Sequence, residues 1–204
     1  MSPRAGIVRK QRSTNGVVAR PFKIVITGPF SAGKTTLIQT ISEVAIVGTE
    51  RDVTDETKSV KERTTVAMDF GRITFSNELT LFLFGTPGQR RFEVMWEILS
   101  EGMIGFILLV HAGDDRSIEE AAHILTTFRE YADVPYVVGV THLDEVDAGE
   151  EETYARVREA LELPESIQVM SCDPREREDV KDLMLSILMG VMARLELIPA
   201  ASAR

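Results

Sequence analysis

Residues 28–36, Gly28, Pro29, Phe30, Ser31, Ala32, Gly33, Lys34, Thr35 and Thr36, carry the clearest chemistry in the chain. Two glycines at this separation, the second followed by Lys-Thr, give the spacing of a phosphate-binding loop. Gly28 and Gly33 let the backbone turn so that its N–H groups converge on phosphate oxygens. A helix that follows adds unsatisfied N–H groups and the positive end of its dipole. The Lys34 ammonium is a counter-charge for β- and γ-phosphates, and the Thr35 hydroxyl is a hard oxygen donor suited to Mg²⁺. Four later stretches hold polar groups of the right kind to complete such a site. They are 63–71 with Thr64 and Thr65, 83–92 with Gly85, Gly88 and Gln89, 140–144 with Thr141, His142 and Asp144, and 170–173 with Ser171 and Cys172.

These groups need elements to hold them. Apolar, strand-like runs lie near 22–27, 66–75, 79–84, 103–110, 135–141 and 167–171, and helical patterns near 34–46, 89–100, 117–131, 151–161 and 176–196. Ser76, Asn77 and Glu78 between the second and third runs are a hairpin signal, so that pair is expected to be antiparallel. The other strands alternate with helices, which predicts parallel pairing and a sheet covered on both faces. The fold class expected is therefore α/β, with about six mostly parallel strands and one antiparallel hairpin. The polar stretches fall at the carboxyl ends of strands or at the entrance to the second strand, where open α/β sheets bind ligands. The last helix carries apolar residues at 183, 184, 187, 188, 191, 192 and 195, a stripe expected to face the core.

At 204 residues the chain is expected to form one domain over 21–198, with tails at 1–20 and 199–204. The first tail holds Arg4, Arg9, Lys10, Arg12 and Arg20 and no acid, so the body is more acidic than the net charge of −9. Such a body disfavours nucleic acid as a partner. No apolar run approaches the ~20 residues of a membrane span. The single cysteine, Cys172, has no intrachain partner for a disulfide, which suits a cytoplasmic protein.

Taken together, the motifs over residues 22–196 resemble those of the Ras-like small GTPases, and most closely the bacterial branch encoded in actinobacterial conservon operons. The resemblance implies GTP or GDP as the bound nucleotide, Mg²⁺ as cofactor and hydrolysis of GTP to GDP. It implies partners of the roadblock or sensor-kinase-like type. Thr65 is similar to the switch I threonine that meets Mg²⁺ and the γ-phosphate. Gly88 is similar to the glycine that donates its N–H to that phosphate, and Gln89 to the glutamine that orients the attacking water. Catalysis then falls to Gln89, Lys34 and Thr65, and the metal to Thr35 and Thr65. Asp144 is similar to the aspartate that reads guanine, and Ser171 and Cys172 would bring backbone near the guanine O6. Without the resemblance, Asp144 is a loop acid after a buried strand.

Three departures from that family stand out. Gly85 takes the position of an aspartate that holds Mg²⁺ through water. Thr141 and His142 replace an Asn-Lys pair beside the base. Phe30 adds bulk where glycine is common, in the path of an arginine from a partner. Two functions of different class follow: a GTP-hydrolysing switch whose product is a changed surface, with Phe92, Met95 and Trp96 either forming part of it or simply packing under their helix, or a nucleotide-binding scaffold with little turnover.

Overall fold

The computed structural model describes residues 21–44, 68–75 and 79–197. The strands are β1 (Phe22–Thr27), β2 (Asp69–Thr74), β3 (Thr80–Gly85), β4 (Met103–His111), β5 (Tyr136–Thr141) and β6 (Val169–Ser171). The α-helices are α1 (Lys34–Ile41), α2 (Glu93–Ser100), α3 (Asp115–Tyr131), α4 (Glu150–Ala160) and α5 (Arg177–Leu197). One six-stranded sheet runs in the order β2-β3-β1-β4-β5-β6, with β2 antiparallel to β3 and every other pair parallel. The expected α/β class and its single antiparallel pair are found. Strand order reverses direction around β1, so the loop leaving β1 opens into the crevice between β3 and β4, the position at which such sheets bind ligands.

The central strands are apolar on both faces and feed two separate cores. Ile24, Ile26, Ile107, Leu109 and Val137 pack with Leu37, Ile38, Leu183 and Ile187 on the face covered by α1 and α5. Val25, Phe106, Leu108, Val110, Val138 and Val140 pack with Trp96, Ile124, Phe128 and Val157 on the face covered by α2, α3 and α4. Alternation along a strand sends successive side chains to opposite faces, which is why neighbouring residues of β1 and β4 belong to different cores.

Several boundaries differ from the sequence expectation for local reasons. The first helix stops at Ile41 instead of running on to 46. The Ser42 side chain bonds Val44 O at 2.9 Å and accepts from Val44 N and Arg72 N at 3.2 Å, competing with the helical ladder. Helix α3 starts at Asp115, ahead of the expected 117, because Asp114 caps it by accepting from Arg116 N at 3.0 Å. The helix expected from 89 opens as a 3₁₀ turn at Arg90–Phe92 before α2 begins. The last helix buries Val180, Leu183, Met184, Ile187 and Val191, but Met189, Met192 and Leu195 are exposed, so the apolar stripe leaves the core in its final turns. Thr64, Thr65 and the turn at 76–78 lie outside the described residues. Among the described residues no helix is long and apolar enough to cross a membrane.

Candidate functional site

The phosphate loop is shaped by three residues with positive φ: Gly28 at 140°, Ser31 at 63° and Gly33 at 91°. A side chain is excluded at Gly28, where a Cβ would lie 2.3 Å from Leu109 O of β4. Backbone and neighbouring strand are thus in contact, as a loop folded tightly over the sheet edge requires. Gly33 caps α1, with Leu37 N donating to its carbonyl at 2.9 Å, and a Cβ there would meet Pro174 at 2.8 Å. The loop between β6 and α5 therefore packs directly on the phosphate loop.

Lys34 is only 8% exposed, and its ammonium donates to Pro29 O in the same loop. Burial pushes this ammonium down from 10.5 to about 8, opposed by the nearby charges of Asp69 and Glu120. An anion entering the cleft would favour the charged form of this lysine. The Thr35 hydroxyl, exposed to the same cleft, donates to Asp69 Oδ2 at 2.6 Å.

The end of β3 is fastened to the end of β1: Thr86 N donates to Ile26 O and Thr86 Oγ1 to Thr27 Oγ1, both at 2.9 Å. This brings Gly88 onto the phosphate loop, where a Cβ would sit 2.6 Å from Phe30 N and from Pro29 C. Gln89 follows, exposed at the cleft. Trp96 lies wholly buried behind this loop, and its indole N–H donates to Pro87 O at 2.9 Å. Of the two readings the sequence left open for it, packing under the helix is the one found; the exposed apolar residues of α2 are Val94 and Ile98. Phe92 and Met95 are half-buried.

The opposite end of the cleft is built by the carboxyl ends of β5 and β6. Thr141 is fully buried and its hydroxyl reaches Ala32 O and Val110 O, each at 3.2 Å, so it ties this strand to the phosphate loop and to β4. His142, at φ 56°, has its Nδ1 2.9 Å from Thr141 Oγ1. Its ring stacks on His111 with centroids 3.8 Å apart and 4° between planes. Burial, then the His111 neighbour, holds the His142 imidazolium below the usual histidine range. Asp144 is 67% exposed and lies 3.7 Å from Arg175 Nη2. Arg175 is gripped more firmly by Asp173, with Nε–Oδ1 at 2.8 Å and Nη2–Oδ2 at 2.6 Å, a pairing that holds the Asp173 carboxyl below its usual range. Cys172 is buried, and burial followed by the charges of Asp179 and Asp173 pushes its thiol up to about 12. Its N–H donates to Val140 O at 2.9 Å, and the Asp173 N–H goes to Asp179 Oδ2 at 2.9 Å. A base carbonyl meeting the Cys172 backbone would have to exchange that bond.

One open cleft of about 1150 Å³ joins both ends. Lys34, Thr35, Gly88, Gln89, His142 and Asp144 all line it, as do Ser171 and Cys172. Sequence reasoning missed Asp69, which meets Thr35, and Arg175, which meets Asp144. Arg175 could have been suspected as the cation following Asp173-Pro174; Asp69 depends on pairing across a hairpin.

A parallel α/β sheet with a lysine-bearing phosphate loop at its point of reversal belongs to the class of P-loop nucleotide-binding folds. Within that class, the chain belongs to the family described as conserved hypothetical ATP binding proteins, matched over residues 26–202. It is also similar to an uncharacterized protein of Methanocaldococcus jannaschii, 32% identical over 133 residues that span 65% of this chain and 77% of that one. That relative is archaeal, whereas the motifs alone suggested a bacterial branch.

Proposed function

We propose that this protein is a Mg²⁺-dependent GTP-binding switch that hydrolyses GTP slowly to GDP and signals through the segment around Gly88. The observation that carries the reading is the contact between Gly88 and the phosphate loop at Pro29–Phe30. A phosphate added at the γ position must engage or displace this segment. Its movement would reach Trp96 and α2 through the Pro87 carbonyl. Gln89 would orient the attacking water, Lys34 would neutralise the phosphates, and Thr65 would offer its hydroxyl to the metal.

The residues at hand fit Mg²⁺. Thr35 offers a hydroxyl beside a carboxylate, the hard oxygen donors this ion prefers. When bound, the ion would neutralise charge on the β- and γ-phosphates. The output surface would include the exposed Val94 and Ile98 of α2, offered to a protein partner of the roadblock or sensor-kinase-like type. The domain would span 21–198.

Base choice rests on Asp144, whose two oxygens can accept from N1–H and the 2-amino group of guanine. The family description favours a second reading, in which adenine nucleotides are the ligand. Measuring ATP and GTP affinity for the wild type and for Asp144→Asn decides between them. Guanine reading requires a GTP preference of about ten- to a hundredfold that Asp144→Asn erases while xanthosine triphosphate gains. A preference for ATP in the wild type would establish the adenine reading, and equal affinities would mean that the site does not read the base. Turnover beside Gln89→Ala then separates a switch from a scaffold: a rate that Gln89→Ala leaves unchanged sinks the hydrolytic role.

A further inference from the structure

We propose that Asp69 supplies the carboxylate of the metal site, from β2, in place of the acid that Gly85 lacks on β3. The inference rests on the nucleotide-binding reading above and assigns a residue that neither motif spacing nor resemblance pointed to.

Three observations converge on it. The β2–β3 register puts Asp69 directly opposite Gly85. Opposed residues of an antiparallel pair project to the same face of the sheet, so Asp69 stands over the same ground a residue at 85 would occupy. Its carboxylate does fill that ground: a Cβ built on Gly85 would lie 3.0 Å from Asp69 Cβ and 3.1 Å from Asp69 Oδ2, and 2.9 Å from Ile38 Cδ1. Glycine at 85 is therefore what lets the Asp69 side chain lie across β3. The carboxylate then reaches the one hydroxyl of the phosphate loop suited to a divalent cation, Thr35, at 2.6 Å, and both residues line the cleft.

The chemistry of that contact suits a metal. A threonine hydroxyl that donates its proton to a carboxylate keeps its lone pairs for a cation. The ionised partner strengthens the bond and fixes the direction in which those lone pairs point. The second carboxylate oxygen of Asp69 remains to accept from water in the Mg²⁺ shell, and this ion commonly keeps several waters. A carboxylate near the Lys34 ammonium also balances charge before phosphate arrives, consistent with its influence on that lysine. Gly85 thus marks a carboxylate moved one strand along the sheet.

The test is to move it back. Retention of a fluorescent GDP analogue is followed while Mg²⁺ is titrated, and Mn²⁺ bound in its place is counted by electron paramagnetic resonance with GDP present. Proteins compared are the wild type, Asp69→Ala, Asp69→Asn, Gly85→Asp and the exchange Asp69→Gly/Gly85→Asp. Asp69→Ala and Asp69→Asn should each need at least about tenfold more metal for half-maximal retention. Their nucleotide affinity in excess EDTA should not fall below that of the wild type, since no metal is then present and a carboxylate near the phosphates has been neutralised. Asp69→Asn preserves size and a hydrogen-bond acceptor, so it carries the test should the alanine variant fold poorly. The exchange should recover most of the metal affinity, whereas Gly85→Asp alone, with two carboxylates over one spot, should lose stability. An unchanged metal midpoint in both Asp69 variants, with a metal-dependent wild type, overturns the assignment and leaves the nucleotide reading standing. A wild type that retains the nucleotide regardless of Mg²⁺ or EDTA overturns the metal site and the Mg²⁺ dependence of the switch, and one that binds no nucleotide overturns the nucleotide reading on which the assignment rests.

Discussion

The two ends of the cleft are made differently. At the phosphate end, backbone meets backbone: Gly28 against Leu109, Gly88 against Pro29 and Phe30, with Lys34 buried between them. At the other end, exposed side chains meet exposed side chains: Asp144 and Arg175 are 67% and 66% exposed, and the ion pair between them spans 3.7 Å. Packed backbone tolerates little change, and exposed ion pairs contribute little and exchange readily. The phosphate loop is therefore fixed by the fold, while the end proposed to read the base presents a few replaceable side chains.

The strongest way to break this contrast is Lys34→Ala. It should lower triphosphate affinity about a hundredfold or more, equally for GTP and ATP, by calorimetry. The melting temperature of the free protein should equal or exceed the wild type, because a buried, partly desolvated ammonium is removed. A base-dependent loss would mean that the two ends do not act separately.

Gly88→Ala tests the backbone contact. The added Cβ meets Pro29 and Phe30 at 2.6 Å, and overpacking of this kind should weaken triphosphate binding roughly thirtyfold. In the wild type, GDP and a non-hydrolysable GTP analogue should give different Trp96 emission, since the indole is tied to Pro87 O. The variant should lose that difference even at saturating nucleotide. A preserved difference would place the motion elsewhere.

At the phosphate end pH acts through Lys34. In the free protein the Lys34 ammonium loses its proton near pH 8, below its ordinary 10.5. Phosphate favours the charged form, so binding takes up a proton above pH 8 and affinity should fall as pH rises, about tenfold between pH 7.5 and 9. The proton uptake is read from calorimetry in buffers of different ionisation heat. Stability of the free protein runs the other way. Between about 8 and 10.5 the unfolded chain holds more protons at this lysine than the folded one, so this group's contribution to stability rises with pH. Lys34→Ala should abolish both slopes.

The smallest effect is expected at the other end. Arg175→Ala frees Asp144 from an exposed pair and should change the ratio of GTP to ATP affinity by only about two- to threefold, with inorganic phosphate binding unchanged. A change above tenfold would make Arg175 a base contact in its own right.

How much of this could be read from the sequence follows the same division. The phosphate loop was legible because backbone chemistry demands glycines and a lysine at fixed separations, whatever surrounds them. The strands were legible because those buried on both faces are continuously apolar, as in Phe106–Val110. Asp69 was hidden because its meaning lies in register: nothing near it in the chain shows that it opposes Gly85 or reaches Thr35. Ser42 ended α1 early through side-chain bonds to backbone in β2 and beyond the helix, a choice that periodicity does not record. Trp96 could be read as surface or as packing because a short amphipathic helix does not announce which aromatic turns inward.

Cys172 gives the chain one further property. Its thiol is the only one present, 2% exposed and shifted up to about 12, so at neutral pH it is neither ionised nor reachable. Alkylation must wait for the β6 end of the sheet to open. The rate of labelling is therefore a clock for that opening, with no engineered probe, and its slowing by bound nucleotide would give the free energy by which a ligand closes the molecule.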